Sequence, residues 1–246
     1  MTTAQSPIIE QNEKGYRYSI EPFLLADFIE PRPGDRILDV GTGCGVIPLL
    51  LARRYTDLEI MGIEIQSSLF KKAFYNVSQN GWEDRIKILE GDFFQLAGDL
   101  KAADWDCIIS NPPYRKKNSG RINPCSEKAL ARHELTLTLS SLVETGVSLL
   151  RPGGKIILAY PSSRLDEVVR ELERHRFQAR RLVHVLGHEK TEPRFFLVEA
   201  AHEQEGSRFQ EETLTIYQPD GSYTPRLQDL YASFDYTGRP HRLRKK

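Results

Sequence analysis

Five short runs rich in Ile, Leu and Val recur along the chain at residues 36–40, 58–63, 85–89, 105–110 and 155–160, each bounded by turn residues. Runs that are apolar on both faces read as buried parallel strands. Helical patterns lie between them. Residues 134–150 place Leu135, Leu139, Leu142, Val143, Gly146 and Leu150 at spacings of three and four before an Arg-Pro-Gly-Gly stop, and 163–176 do the same with Leu165, Val168, Val169 and Leu172. Strand–helix alternation of this kind predicts an α/β fold with a doubly wound, Rossmann-like sheet. Runs 179–186 and 195–200 are separated by a polar turn containing Pro193, close enough to be joined only as a hairpin. The sheet is therefore expected to be mostly parallel with a final antiparallel strand.

The 246 residues suit one large α/β domain with small additions. The boundaries read as an N-terminal hairpin and helix over 1–30, the main domain over 31–203, and a C-terminal extension with a basic tail over 204–246. The stretch 46–52 is the longest unbroken apolar run near the first glycine cluster. A bilayer span needs about 20 such residues, so no membrane helix is expected. The N-terminus lacks the basic start and apolar stretch of a secretory signal. Cys44, Cys107 and Cys125 are odd in number and lack CxxC spacing, which argues against a disulfide scaffold or zinc site and fits a reducing cytoplasm. His184 and His188 fall on a strand and its turn rather than on one helix face, so no metal site is expected there. Formal net charge is zero but unevenly spread. Residues 1–110 hold 11 basic and 17 acidic side chains, a net of −6, and the remainder hold 23 and 17, a net of +6. A basic C-terminal half is a candidate nucleic-acid face.

The first chemistry-bearing motif is Asp39-Val-Gly-Thr-Gly-Cys-Gly45, directly after the first strand and opening a helix. Glycines let the backbone turn and approach a ligand, and a helix N-terminus offers free N–H groups. A dinucleotide turn reads G-x-G-x-x-G. Here the spacing is G-x-G-x-G, with Asp39 two residues ahead, a carboxylate that repels a pyrophosphate and favours a cationic amino-acid moiety. Gly41, Thr42, Gly43 and Gly45 are the candidate cradle. This turn resembles motif I of the class I S-adenosylmethionine-dependent methyltransferases. Glu64, beside Ile65 at the second strand end, can accept from both ribose hydroxyls. Asp92, beside Phe93 after the third, can accept from the cofactor's adenine amino group.

At the end of the fourth strand stands Asn111-Pro112-Pro113-Tyr114. The prolines fix the backbone and remove two donors, leaving the Pro112 carbonyl and the Asn111 amide oxygen as acceptors. Together they can grip both hydrogens of a planar –NH2 group and draw its lone pair out of conjugation. Tyr114 offers a face on which a flipped base stacks. The motif is shared by methyltransferases acting on adenine N6, guanine N2 or glutamine amides, and does not choose among them. Arg115, Lys116, Lys117, Arg121 and Arg132 form a basic stretch behind it. Those side chains suit RNA phosphates, although Arg132 equally suits a helix cap.

Lys14-Gly-Tyr-Arg-Tyr-Ser-Ile-Glu-Pro-Phe-Leu-Leu-Ala26, Ser119-Gly-Arg-Ile-Asn-Pro124 and Ala131-Arg-His-Glu134 together resemble the bacterial tRNA1(Val) adenine-N6 methyltransferase family. So do Leu214-Thr-Ile-Tyr217, Asp220-Gly-Ser-Tyr-Thr224 and Leu230-Tyr231. The resemblance covers nearly the whole chain and implies methylation of the adenine next to the anticodon of valine tRNA. It also implies a lid over the cofactor with Tyr16 and Arg17 in it, where both are candidate contacts to the substrate RNA; the alternative for the two is plain hairpin surface. The alternatives are a protein glutamine or guanine-N2 rRNA methyltransferase on the same fold, or an RNA-binding module without catalysis. The last would be expected to lack Asp39, Glu64 or Asn111, and all three are present.

Overall fold

The computed structural model describes residues 7–10, 20–100, 104–112, 138–202 and 208–234. In chain order they form α1 (Glu21–Phe28), β1 (Arg36–Val40), α2 (Val46–Arg54), β2 (Glu59–Glu64), α3 (Ser67–Gln79), β3 (Ile86–Glu90) and α4 (Phe93–Leu100). β4 (Trp105–Ser110), α5 (Leu139–Leu149), β5 (Leu150–Pro161), a 3-10 turn at Ser162–Arg164, α6 (Leu165–Arg174) and β6 (Phe177–His188) follow. β7 (Pro193–His202), β8 (Gln210–Tyr217) and α7 (Pro225–Ser233) complete them.

All eight strands share one sheet of order β3-β2-β1-β4-β5-β7-β6-β8. The chain runs outward from β1 to β3 and then crosses back to lay β4 on the other side of β1. This reversal is the topological switch point, where doubly wound sheets bind ligands at the carboxyl ends of their strands. The central strands feed both faces, as a strand apolar throughout must. Along β5, Ile157 and Ala159 join the core under α1, α2 and α7, while Ile156, Leu158 and Tyr160 join the core under α4, α5 and α6.

The expected Rossmann-like architecture is present, with its antiparallel strand in the hairpin. β7 lies antiparallel between β5 and β6, which returns β6 to the direction of the parallel set. The residues beyond 207 then add β8, parallel to β6, at the sheet edge. α7 packs on α1, where the Phe23 ring meets Tyr231 edge-on at 5.0 Å and Phe234 at 6.2 Å. The described part of the predicted 134–150 helix begins behind Thr138, whose hydroxyl accepts the Ser141 N–H at 3.2 Å, an N-cap. Among the described residues no helix is long and apolar enough to cross a membrane.

Candidate functional site

The switch point joins β1 and β4, and the two central motifs meet there. The Ser110 hydroxyl, fully buried, donates to the Val40 carbonyl at 2.8 Å and ties the two strand ends together. Beyond Val40 the chain enters the glycine turn. The Gly41 and Thr42 N–H groups both donate to the Ile63 carbonyl, at 2.9 and 3.0 Å, folding the turn over the end of β2. Gly41, Gly43 and Gly45 take φ values of +77°, +62° and +82°, a region costly for side-chain-bearing residues. A Cβ built on Gly41 or Gly43 meets nothing within 4 Å, so the turn presents bare backbone to open space. At Gly62 the reverse holds: a Cβ there would lie 2.9 Å from the Thr42 side chain.

Asp39 lies beneath this turn, only 1% exposed, and neither carboxylate oxygen has a hydrogen-bond partner. Burial pushes its carboxyl up to about 7. The Thr42 hydroxyl, placed outside hydrogen-bonding geometry, offsets part of that rise, and the Glu64 charge adds to it. An acid in this state is stabilised by any cation brought above the turn. The buried carboxylate therefore suits a ligand carrying ammonium and sulfonium groups.

Glu64 is 2% exposed at the end of β2. Its Oε2 accepts the Gly43 N–H at 2.9 Å and its Oε1 accepts the Gln66 N–H at 2.8 Å. The residue expected to hold a ribose therefore also braces the turn. Asp92 behaves similarly: its Oδ1 accepts the Phe94 N–H at 2.8 Å, capping α4. Ile65 is half-buried beside Glu64, and Phe93 is buried behind Asp92. Asn111 is half-buried and Pro112 buried where β4 ends. Pro113, Tyr114, Arg115, Lys116, Lys117, Arg121 and Arg132, with Tyr16 and Arg17, lie outside the described residues.

Cys44 and Cys107 are free and buried, and burial raises both thiols above their ordinary range, Cys44 to about 11, so both stay protonated core residues. Among the described residues no cluster of His, Cys, Asp or Glu could hold a metal. Sequence reasoning misses Asn76, which is fully buried on α3 and donates to the Cys44 carbonyl inside the turn at 3.0 Å. A signal is present: asparagine disfavours helix interiors, so one in mid-helix marks a side chain engaged elsewhere.

Replacing Glu64 by Ala removes the acceptor of two backbone amides together with any ribose contact. We expect S-adenosylmethionine affinity to fall by about 1.5–3 kcal/mol, the range for hydrogen bonds to charged groups. Titration calorimetry reads this directly, and unchanged affinity would take Glu64 out of the site.

Residues 22–179 match the family described as Methyltransferase small domain. The chain is 32% identical over 235 residues to a tRNA1(Val) (adenine(37)-N6)-methyltransferase of Porphyromonas gingivalis, spanning 92% of this chain and 91% of that protein. It is 28% identical over 227 residues to one of Tolumonas auensis, spanning 92% of each. Solved structures share the fold. A predicted O-methyltransferase of Agrobacterium tumefaciens superposes with a TM-score of 0.69 at 18% identity, over 87% of this chain and 96% of that one. A B. subtilis tRNA methyltransferase, TrmK, does so with 0.53 at 17% identity, over 76% and 68%. With the glycine turn and Asn111-Pro112 meeting at the switch point and its relatives matched along most of their length, this chain belongs to the methyltransferase small domain family and, within it, to the tRNA1(Val) adenine-N6-methyltransferases.

Proposed function

We propose that this chain transfers a methyl group from S-adenosylmethionine to the exocyclic N6 of an adenine in tRNA, the adenine beside the anticodon of valine tRNA. The observation that carries the reading is the pairing of β1 with β4. It puts the bare glycine turn over Asp39 and the Asn111-Pro112 acceptors on neighbouring strand ends, Val40 opposite Ser110. A cofactor on the turn and an amine held by Asn111 are then adjacent.

S-adenosylmethionine, when bound, supplies an electrophilic methyl: the amine lone pair forms the N–C bond as the C–S bond breaks, and its electron pair leaves on sulfur. Gly41, Thr42, Gly43 and Gly45 present backbone to the amino-acid end, and Asp39 places negative charge beneath it. Glu64 and Asp92, with Ile65 and Phe93, border the nucleoside end. The Asn111 side-chain oxygen and the Pro112 carbonyl accept the two amine hydrogens, which holds the nitrogen and favours its rehybridisation toward attack. The proton then leaves a strongly acidic ammonium product, for which water is a sufficient acceptor.

Pro113 fixes the backbone behind the motif, and Tyr114 supplies the stacking face for the extruded base. Arg115, Lys116, Lys117, Arg121 and Arg132 follow tRNA phosphates, and Tyr16 and Arg17 of the lid contact the substrate RNA with them. The compartment is the cytoplasm, in keeping with the free buried thiols. The proposed division is an N-terminal lid over 1–30, the methyltransferase domain over 31–203 and an extension over 204–246.

A methyl-transfer assay on tRNA lacking the mark, followed by nucleoside digestion, should yield N6-methyladenosine. Transfer to a glutamine-containing peptide with none to tRNA would overturn the acceptor assignment and leave the cofactor assignment standing. Neutralising Arg115, Lys116, Lys117 and Arg121 together should weaken tRNA binding and flatten its salt dependence. The log–log slope should drop by about 0.7–0.9 for each phosphate that the protein no longer neutralises. A slope equal to the native one would make that stretch ordinary solvated surface.

A further inference from the structure

Asn76 of α3 and Asn80, the residue that caps its C-terminus, do something that no part of the proposed chemistry uses. Asn76 and Asn80 sit four residues apart, at the last turn of α3 and its C-cap, and Ile8 and Glu10 sit two apart on the N-terminal segment. A helix advances about 6 Å over four residues and an extended chain about 6.8 Å over two, so the two repeats nearly match. Each asparagine grips the main chain of one residue as a neighbouring strand would. Asn80 Oδ1 accepts the Ile8 N–H at 2.9 Å while its Nδ2 donates to the Ile8 carbonyl at 2.8 Å. Asn76 Oδ1 accepts the Glu10 N–H at 2.9 Å while its Nδ2 donates to the Glu10 carbonyl at 3.1 Å. Between these grips Ile9 packs against the core, and Lys72, one turn before Asn76, pairs with the Glu10 carboxylate at 3.3 Å.

The same Asn76 amide also donates to the Cys44 carbonyl, inside the glycine turn. Its buried amide thus joins two pieces of backbone more than thirty residues apart, and its partners account for both N–H groups. A half-satisfied buried amide is costly, so a hydrogen-bond set shared this closely favours being wholly engaged or wholly broken over any state between. Two sites that bias one such element influence each other equally in both directions.

We propose that Asn76 and Asn80 are positioning residues that couple docking of the N-terminal segment to occupation of the glycine turn, through the path Glu10–Asn76–Cys44. The inference rests on the reading of that turn as the cofactor cradle. Ordering of the turn by ligand fixes the Cys44 carbonyl, which fixes the Asn76 amide in the pose that holds Glu10. This stretch of the proposed lid is thereby drawn down when cofactor is bound and released when it leaves.

The test uses the full-length protein with S-adenosylhomocysteine as the probe, read by calorimetry and by amide hydrogen exchange at Ile8 and Glu10. In the native protein, saturating ligand should slow exchange of both amides roughly 5- to 150-fold, the usual scale of coupling between sites. Glu10→Pro deletes the N–H that Asn76 accepts while leaving the turn untouched, and should weaken ligand binding by the same factor. Glu10→Gln keeps the N–H and should bind as the native protein does. Asn80→Ala should speed Ile8 exchange, and in Asn76→Ala ligand should no longer slow exchange at Ile8 or Glu10. Native protein that binds ligand with no change at Ile8 and Glu10, or Glu10→Pro that binds as tightly as Glu10→Gln, overturns the coupling. Native protein that binds no ligand overturns the cofactor reading and the coupling with it, a result distinguishable because amide protection lost in Asn80→Ala would still establish the clip itself.

Discussion

Asp39→Asn is expected to make the ligand-free protein more stable at pH 8 than its parent and, at the same pH, a weaker binder of S-adenosylmethionine. The two effects have one cause. The native carboxyl is pushed from its ordinary 3.8 to about 7 by burial. Between those values the folded state holds a proton that the unfolded chain has released, so stability declines as pH rises from about 4 to 7 and is flat above. Each pH unit across that window is worth about 1.36 kcal/mol, so the stability forfeited above pH 7 is at most about 4 kcal/mol. The amide carries no charge and forfeits none of it. Thermal melts of both proteins should therefore diverge with rising pH, native below variant, and converge near pH 4. Calorimetry at pH 8 should show the variant losing at least tenfold in cofactor affinity, since the buried negative charge beneath the turn is gone. A variant that is no more stable at pH 8 than at pH 4 relative to the native protein would show that Asp39 is solvated or paired when ionised. One that binds cofactor as tightly would remove it from the site.

Asn111→Ala should leave cofactor affinity largely intact and remove most turnover on tRNA. In the proposed mechanism the Asn111 oxygen accepts from an amine whose hydrogens become more acidic as nitrogen rehybridises, so its contribution would grow toward the transition state and appear in kcat rather than KM. Removal of one preorganised polar group from such a site typically costs on the order of 100-fold or more. Tyr114→Ala should act differently, weakening hold on the extruded base by about 1–3 kcal/mol, with Tyr114→Phe retaining most activity. Single-turnover rates beside equilibrium tRNA binding separate the two. An Asn111→Ala protein with native kcat would dismiss the amine-gripping mechanism.

The strands at 36–40 and 105–110 are legible to the residue, because Ile-Leu and Cys-Ile-Ile pack on both faces of the sheet and turn residues bound each run. β8 is not legible as a strand. Its first half, Gln210-Glu-Glu-Thr213, is exposed and charged, and only Leu214 and Ile216 mark an inner face. The position of β7 inside the sheet depends on which neighbour the hairpin chooses, a matter of tertiary pairing rather than local pattern. In the candidate site, Asp39 and Glu64 stand out from their spacing at strand ends. The bracing of Gly43 and Gln66 by Glu64 is not, since it requires two loops about 20 residues apart to close on one carboxylate. Asn76 and Asn80 escape notice because α3 has few buried apolar positions, leaving its polar residues to look like solvated surface.

The charged start of β8 has a consequence for handling this protein. Without the residues beyond 207, β6 would end the sheet as a long bare edge carrying Leu182, Val183 and Val185, and Phe23 would lose its cover from α7. Such an edge pairs readily with a second molecule. Gln210, Glu211 and Glu212 instead line the outermost strand with polar and like-charged side chains, which resist further strand addition. Trimming the gene after residue 202 to obtain a minimal catalytic unit would therefore yield aggregates, and an affinity tag belongs at the far end of α7 rather than in place of it.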